Sequence, residues 1–162
     1  MNIELVPVDA SEKPRLLNLL QFYAYDCSSI DADDPEVNGL FYLDEELVDD
    51  YWKLPGWSAR FVVVDALVVG FVLIEVHALL EPGAKELADI FILKRHRGRG
   101  IGTEIVTKIL LPESGAWEIY VCNGDVEAER FWRSCLPKLA LKNIRYLNGL
   151  DEWEGPVFKV LV

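Results

Sequence analysis

Histidine, cysteine and positive charge are all in short supply in this chain, and each shortage narrows what it can do. The two histidines, His77 and His96, cannot build a metal cluster by themselves. The three cysteines, Cys27, Cys122 and Cys135, are odd in number and lack metal-ligand spacing. Reduced thiols of a cytoplasmic protein fit them, and no metal is expected. Long hydrophobic runs are missing as well. The longest apolar stretch, residues 61–76, is broken by Asp65, Gly70 and Glu75, short of the roughly 18–20 residues that cross a bilayer. Residues 1–10 carry neither a basic nor an apolar leader pattern, so neither secretion nor membrane attachment is expected. Lys and Arg number 16 against 27 Asp and Glu, a net charge of −11. Nucleic acid is disfavoured as a partner, because phosphate neutralisation supplies most of that affinity. The charge favours a cationic or amine-bearing substrate, though it also serves plain solubility.

What the chain does have is enough apolar material for a core: 51% of its 162 residues are hydrophobic. One domain over residues 1–162 is expected. Patterning predicts a strand over 3–8, a helix entered at Ser11-Glu12-Lys13-Pro14 and running to about Tyr25, then a loop over 26–39. A second helix is expected over 44–52. Val-rich strands over 60–65 and 67–76 read as a hairpin, and a third strand covers 86–93. Ile101, Ile105 and Ile109 mark a helix over 101–111 stopped by Pro112. A strand over 117–122, a helix over 126–136 capped by Asp125, and strands over 139–146 and 157–162 complete the order. A run of strands meeting a βαβ unit implies an α/β chain with a mixed central sheet, about six to seven strands, and about four helices on both faces.

Against the acidic background, residues 87–102 (LADIFILKRHRGRGIG) gather Lys94, Arg95, Arg97 and Arg99 with three alternating glycines, directly ahead of a helix. Glycines let backbone N–H groups converge, and a helix N-terminus adds partial positive charge, so the segment suits an anion such as a pyrophosphate. It lacks the lysine of a Walker A loop, and its G-x-G-x-G spacing departs from the dinucleotide fingerprint. What fits is Arg97-Gly98-Arg99-Gly100-Ile101-Gly102, of the form R-x-x-G-x-G, at the join of a strand and a helix.

That segment resembles the acyl-CoA-binding signature of the GNAT N-acetyltransferase superfamily. Ile90-Phe91-Ile92 is similar to the superfamily's strand ahead of the cradle, and Ala128-Glu129-Arg130-Phe131-Trp132 to its later helix motif. The element order matches too. Gln21-Phe22-Tyr23, Tyr25-Asp26, Tyr51-Trp52 and Phe131-Trp132-Arg133 look like a smaller group of uncharacterised, predicted acetyltransferases, a likeness that brings no substrate with it.

The resemblance implies acetyl-CoA as cosubstrate. It also implies acetyl transfer to a primary amine, on a small molecule or a peptide, by direct attack in a ternary complex. Backbone groups of Ile90, Phe91 and Ile92 are expected along the pantetheine, and amides of Gly98, Arg99, Gly100, Ile101, Gly102 and Thr103 around the pyrophosphate. Arg97, Asn123 and Phe131 complete the expected cofactor set. Lys94, Arg95 and Arg99 suit either the 3′-phosphate or a solvated basic edge. Asp89 and Tyr120 occupy positions where relatives place catalytic or water-chain groups; each could equally be an ordinary strand carboxylate or a core aromatic. Trp132 stands where many relatives carry a proton-donating tyrosine, and Asp125 where they carry an asparagine. Tyr23, Tyr25, Asp26 and Tyr42 are the expected acceptor-side residues. The alternative function is a non-catalytic acyl-CoA sensor. Residues 157–162 offer a strand edge through which a homodimer could form.

Overall fold

A computed structural model describes residues 1–162. The chain runs β1 (Ile3–Pro7), α1 (Lys13–Asp31), α2 (Glu45–Lys53), β2 (Ser58–Val64), β3 (Leu67–Glu75), β4 (Lys85–Ile92), α3 (Ile101–Leu110), β5 (Ala116–Tyr120), α4 (Val126–Cys135), β6 (Asn143–Leu150) and β7 (Trp153–Leu161). All strands join one seven-stranded sheet in the order β1-β2-β3-β4-β5-β7-β6. Only β4 and β5 are parallel neighbours, because α3 carries the chain over the sheet between them.

The helices bury complementary faces on opposite sides of this sheet. Ile101, Ile105, Val106, Ile109 and Trp132 of α3 and α4 pack on Val62, Val72, Leu87 and Trp117. Leu16, Leu20, Val48 and Tyr51 of α1 and α2 pack on Phe61, Phe71, Leu73 and Phe91. Local signals set the element ends. Asp44 caps α2 by accepting from the amides of Glu46 and Leu47, both at 3.1 Å. Asp65 and Ala66 adopt positive φ (48° and 68°), as a tight two-residue hairpin between β2 and β3 requires.

Three expectations are corrected. The first helix does not stop near Tyr25 but continues to Asp31. Asp26 and the serines after it disfavour helix on propensity alone, but ion pairs from Asp26 to Lys94 and Arg97 hold the extra turns in place. The last hairpin is longer than patterning suggests, since β6 and β7 pair continuously from Asn143↔Leu161 to Leu150↔Trp153 around a bulge between Asn148 and Leu150. Residues 157–162 are not a free edge for a second copy: β7 lies inside the sheet, bonded to β5 and β6, and the edges are β1 and β6.

Two irregularities interrupt the centre of the sheet. Leu73 faces Asp89 while Ile74 faces Leu87, so Ala88 is an extra residue, a β-bulge in β4. Pairing of β4 with β5 covers only Lys85↔Trp117 and Glu86↔Glu118. Beyond Glu86 the two strands part.

Gly70 in β3 allows β4 to lie close: a Cβ there would sit 1.9 Å from the Phe91 carbonyl oxygen. Gly70→Ala is expected to destabilise the protein by about 2–3 kcal/mol through overpacking, measured by urea unfolding. A loss below about 0.5 kcal/mol would contradict the close β3–β4 approach.

Candidate active site

Where β4 and β5 part, a cleft of about 920 Å³ opens. One wall is β4 from Glu86 to Ile92, the other is Ile119–Cys122, and the ends are closed by α1, the β4–α3 turn and the start of α4. The β4 backbone beyond Glu86 bonds β3 on one side and has no strand on the other. An extended ligand could add itself there as a strand would.

Leu93 bonds back to the Val69 carbonyl at 2.8 Å, ending β4 firmly. A short 3₁₀ turn over Lys94–His96 leads into the glycine segment. Gly98 and Gly100 take positive φ (72° and 80°), with open space where a Cβ would stand. No side chain caps α3 at Gly100, so its first amides keep their donors free beside the cleft. Gly102 has a different task. A Cβ there would meet the Phe131 ring at 2.9 and 3.1 Å, so the glycine lets α4 lie against α3. Ile90, Ile92, Gly98, Gly100, Ile101, Gly102, Thr103 and Phe131 all line the cleft, as does Phe91, whose side chain is buried.

Arg97 and Asp26 also line the cleft but are bonded to each other, while several other expected site residues stand outside it. The Arg97 side chain braces the turn: its Nε donates to the Ile92 carbonyl at 2.6 Å and its guanidinium pairs with Asp26. Asp26 is therefore no open acceptor-side carboxylate. Partial burial raises its pKa, but Arg97 and Lys94, the latter at 3.1 Å, outweigh this and hold it below the usual range. Tyr25 and Tyr42 are exposed and stand outside the cleft; Tyr25 lies against Phe41 with the Lys94 ammonium 5.8 Å over its ring. Arg99 and Asn123 are exposed and outside the lining, because both sit at solvent-facing turns. Asp125 is a helix cap, accepting from Ala128 N at 2.9 Å. Trp132 is buried in the core against Phe131, and its indole N–H is no substitute for a phenol as a proton donor.

The far end of the cleft is lined by Tyr23, Glu86, Asp89 and Tyr120, with Tyr51, Glu75 and Glu118 outside the lining. The Tyr23 hydroxyl donates to Asp89, that of Tyr51 to Glu75, and that of Tyr120 to Glu118. Asp89 is pushed up to about 6, first by burial and then by Glu75 and Asp31, with the Tyr23 bond pulling the other way. Glu86 receives no tyrosine hydroxyl and is pushed up to about 8, by burial first and then by Glu75, Asp89 and Glu118. Tyr120 does line the cleft, but its hydroxyl is committed: it donates to Glu118 and accepts from Leu79 N at 2.8 Å.

Residue patterning missed Glu86, Cys27, Cys122 and Trp153 as cleft residues. A three-residue spacing on a regular strand puts side chains on opposite faces. The bulge at Ala88 is what turns Glu86 and Asp89 to the same side, and nothing in the sequence announces it.

Residues 24–135 match the Acetyltransferase (GNAT) family, and the chain belongs to that family. No curated protein matches it in sequence. Its fold is shared with an acetyltransferase from Thermus thermophilus (17% identity, covering 100% of this chain and 97% of that one, TM-score 0.70). It is similarly close to a GNAT acetyltransferase from Streptococcus agalactiae (13% identity, 99% and 95% covered, TM-score 0.71). The PaiA N-acetyltransferase of Thermoplasma acidophilum, solved in complex with coenzyme A, matches over 100% of both chains at 12% identity and TM-score 0.64. GNAT enzymes use acetyl-CoA. No group of three or more His, Cys, Asp or Glu side chains is arranged to hold a metal ion, and no helix is long and apolar enough to cross a membrane.

The raised Glu86 value has a consequence for stability. Its folded pKa, about 8, lies above the ordinary 4.5, so folding takes up a proton. The associated stability is complete below the unfolded value and drains away as pH rises through 8. Relative to wild type, Glu86→Gln should therefore gain about 1–3 kcal/mol between pH of about 4 and about 8.5, read from paired urea titrations. A pH-independent difference would show that Glu86 titrates normally.

Proposed function

We propose that the chain, as one domain over residues 1–162, is a cytoplasmic acetyl-CoA-dependent N-acetyltransferase. It acts on a primary amine of a small molecule or peptide by direct attack in a ternary complex. The observation that carries this is the parting of β4 and β5 beyond a two-residue pairing, with a glycine cradle and bare helix N-terminus at one end and paired carboxylates at the other. The coenzyme A complex of the Thermoplasma neighbour supports it.

The residues present fit the cosubstrate. Positive-φ glycines with nothing in the place of a Cβ leave room for a diphosphate against the amides of residues 98–103. The unpaired edge of Ala88–Ile92 offers amides and carbonyls to a pantetheine arm, and one such amide can polarise a thioester carbonyl. Bound there, acetyl-CoA supplies the activated acetyl group. Tyr23 orients Asp89, which takes a proton from the incoming ammonium, directly or through one water. Glu86 sits beside it, pushed to about 8 and therefore mostly protonated near neutral pH. It offers the acceptor a hydrogen-bonding carboxyl group rather than a second negative charge. The free amine would then attack the thioester carbon, and the C–S bond would break. The proton shed by the new amide would pass to the departing thiolate through solvent, without help from Trp132.

Buried Trp132 in place of a phenolic donor is the observation that favours the second reading, an acyl-CoA sensor without turnover. A primary-amine panel with continuous thiol detection separates the two, since a sensor binds acetyl-CoA but releases no thiol above the hydrolysis blank.

Two further outcomes are expected. Gly100→Val forces a β-branched residue into the left-handed region. It should abolish coenzyme A and acetyl-CoA binding in calorimetry while the cooperative unfolding transition persists; unchanged affinity would refute the cradle. Asp89→Asn should lower kcat at pH 7 by about 10²–10⁴-fold and remove the rise in rate that wild type shows as pH passes about 6. An unaltered pH–rate profile removes Asp89 from the proton path.

A further inference from the structure

Glu118 is the one charged side chain counted among the buried residues, at 0% exposure, in the middle of β5. Its carboxylate is fully used. Oε1 accepts from Glu81 N at 2.8 Å, and Oε2 accepts from Leu79 N at 3.0 Å, from Leu80 N at 3.1 Å and from the Tyr120 hydroxyl. The Tyr120 oxygen in turn accepts from Leu79 N at 2.8 Å. The peptide segment between β3 and β4 is therefore folded around a side chain of a different strand. A second tether reinforces it: Lys159 of β7, directly opposite Glu118 in register, reaches Glu81 at 2.5 Å. Trp153 packs edge-on against Tyr120, with ring centroids 5.5 Å apart, and donates to the Val121 carbonyl at 3.1 Å.

A buried carboxylate is costly unless every acceptor site is filled. Ordinary packing does not call for one here, since an apolar residue would fill a β5 interior position with no such demand. What the four donors accomplish is local. They fix a segment that has no regular hydrogen bonds of its own, and that segment starts next to the acidic end of the cleft. His77, at its start, has Nδ1 4.0 Å from Oε2 of Glu86, a cleft residue. Tyr120 itself also faces the cleft.

We propose that Glu118 and Tyr120 are positioning residues for acceptor recognition. They clasp the 77–81 segment as a rigid wall beside Glu86, and this wall, not the phosphate cradle, selects among amines. This rests on the N-acetyltransferase reading. Tyr120 then has no part in proton transfer; its hydroxyl is held between a carboxylate and an amide.

The test is Tyr120→Phe, which removes one oxygen and keeps the ring against Trp153. Steady-state kinetics would use spermidine, tyramine and a lysine-containing tetrapeptide as acceptors, with amide hydrogen exchange of residues 79–81 alongside. The variant should raise KM for the best of these acceptors about tenfold. KM for acetyl-CoA should stay within about twofold and kcat within about threefold, and amide exchange at 79–81 should accelerate. Glu118→Gln should show the same split more strongly; should it fail to fold, Tyr120→Phe alone decides. A fall in kcat of a hundredfold or more with loss of a pH–rate limb would make Tyr120 a proton-transfer residue and overturn the proposal. Unchanged acceptor KM with unchanged exchange would overturn it too, while leaving the N-acetyltransferase reading intact. A wild type that binds acetyl-CoA but accepts none of the amines would overturn both, and it differs visibly from the previous outcome.

Discussion

The early parting of β4 from β5 is the constraint on which the rest of the site depends. Two residue pairs hold these strands parallel, after which β4 keeps its bonds to β3 and β5 keeps its bonds to β7. Each strand is thus anchored on its outer side and free on its inner one. Free strand edges normally invite pairing. Here the α3 crossover and the first turns of α4 close the ends of the wedge, so a ligand fits where another chain does not. The Ala88 bulge adds to the divergence and aims Asp89 into the gap.

A functional polarity runs along the cleft. At the α3 end the chemistry is that of backbone donors, with Arg97 and Lys94 sharing the single carboxylate of Asp26, so that one net positive charge remains there. At the other end it is that of carboxylates, each of Asp89, Glu75 and Glu118 stabilised by a tyrosine hydroxyl. Glu86 stands among them without such a partner, and burial together with its acidic neighbours pushes it up to about 8. An anionic cosubstrate and a cationic acceptor would so approach from electrostatically matched directions. Matched ends also reduce the chance of either ligand occupying the other's place.

Much of this was legible in the residues. The element order, the strand–turn–helix of residues 85–110 and the cap at Asp125 follow from short-range rules, and the resemblance carried by Arg97–Gly102 pointed to the correct family. Arg97 and Asp26 illustrate the limit. Each was expected at a ligand, one at the cofactor and one at the acceptor, yet they are bonded to each other across 71 positions of sequence. No local pattern encodes such a pairing. Tyr25 and Tyr42 were misread for a similar reason: a concentration of aromatics and acids does not say that Tyr25 turns away from the cleft on α1 or that Tyr42 is exposed in the segment before α2.

The sequence alone determined where the strand–glycine–helix junction lies, because glycine backbone freedom and a helix start are properties of contiguous residues. It also determined that the sheet would be mixed, because alternation and helical periodicity are local. Only the tertiary structure decided which carboxylates gather near one end of the cleft and that β7 sits inside the sheet. Strand order, bulge position and the partner of each buried charge depend on residues distant in sequence, whose mutual burial is settled only when the whole core packs.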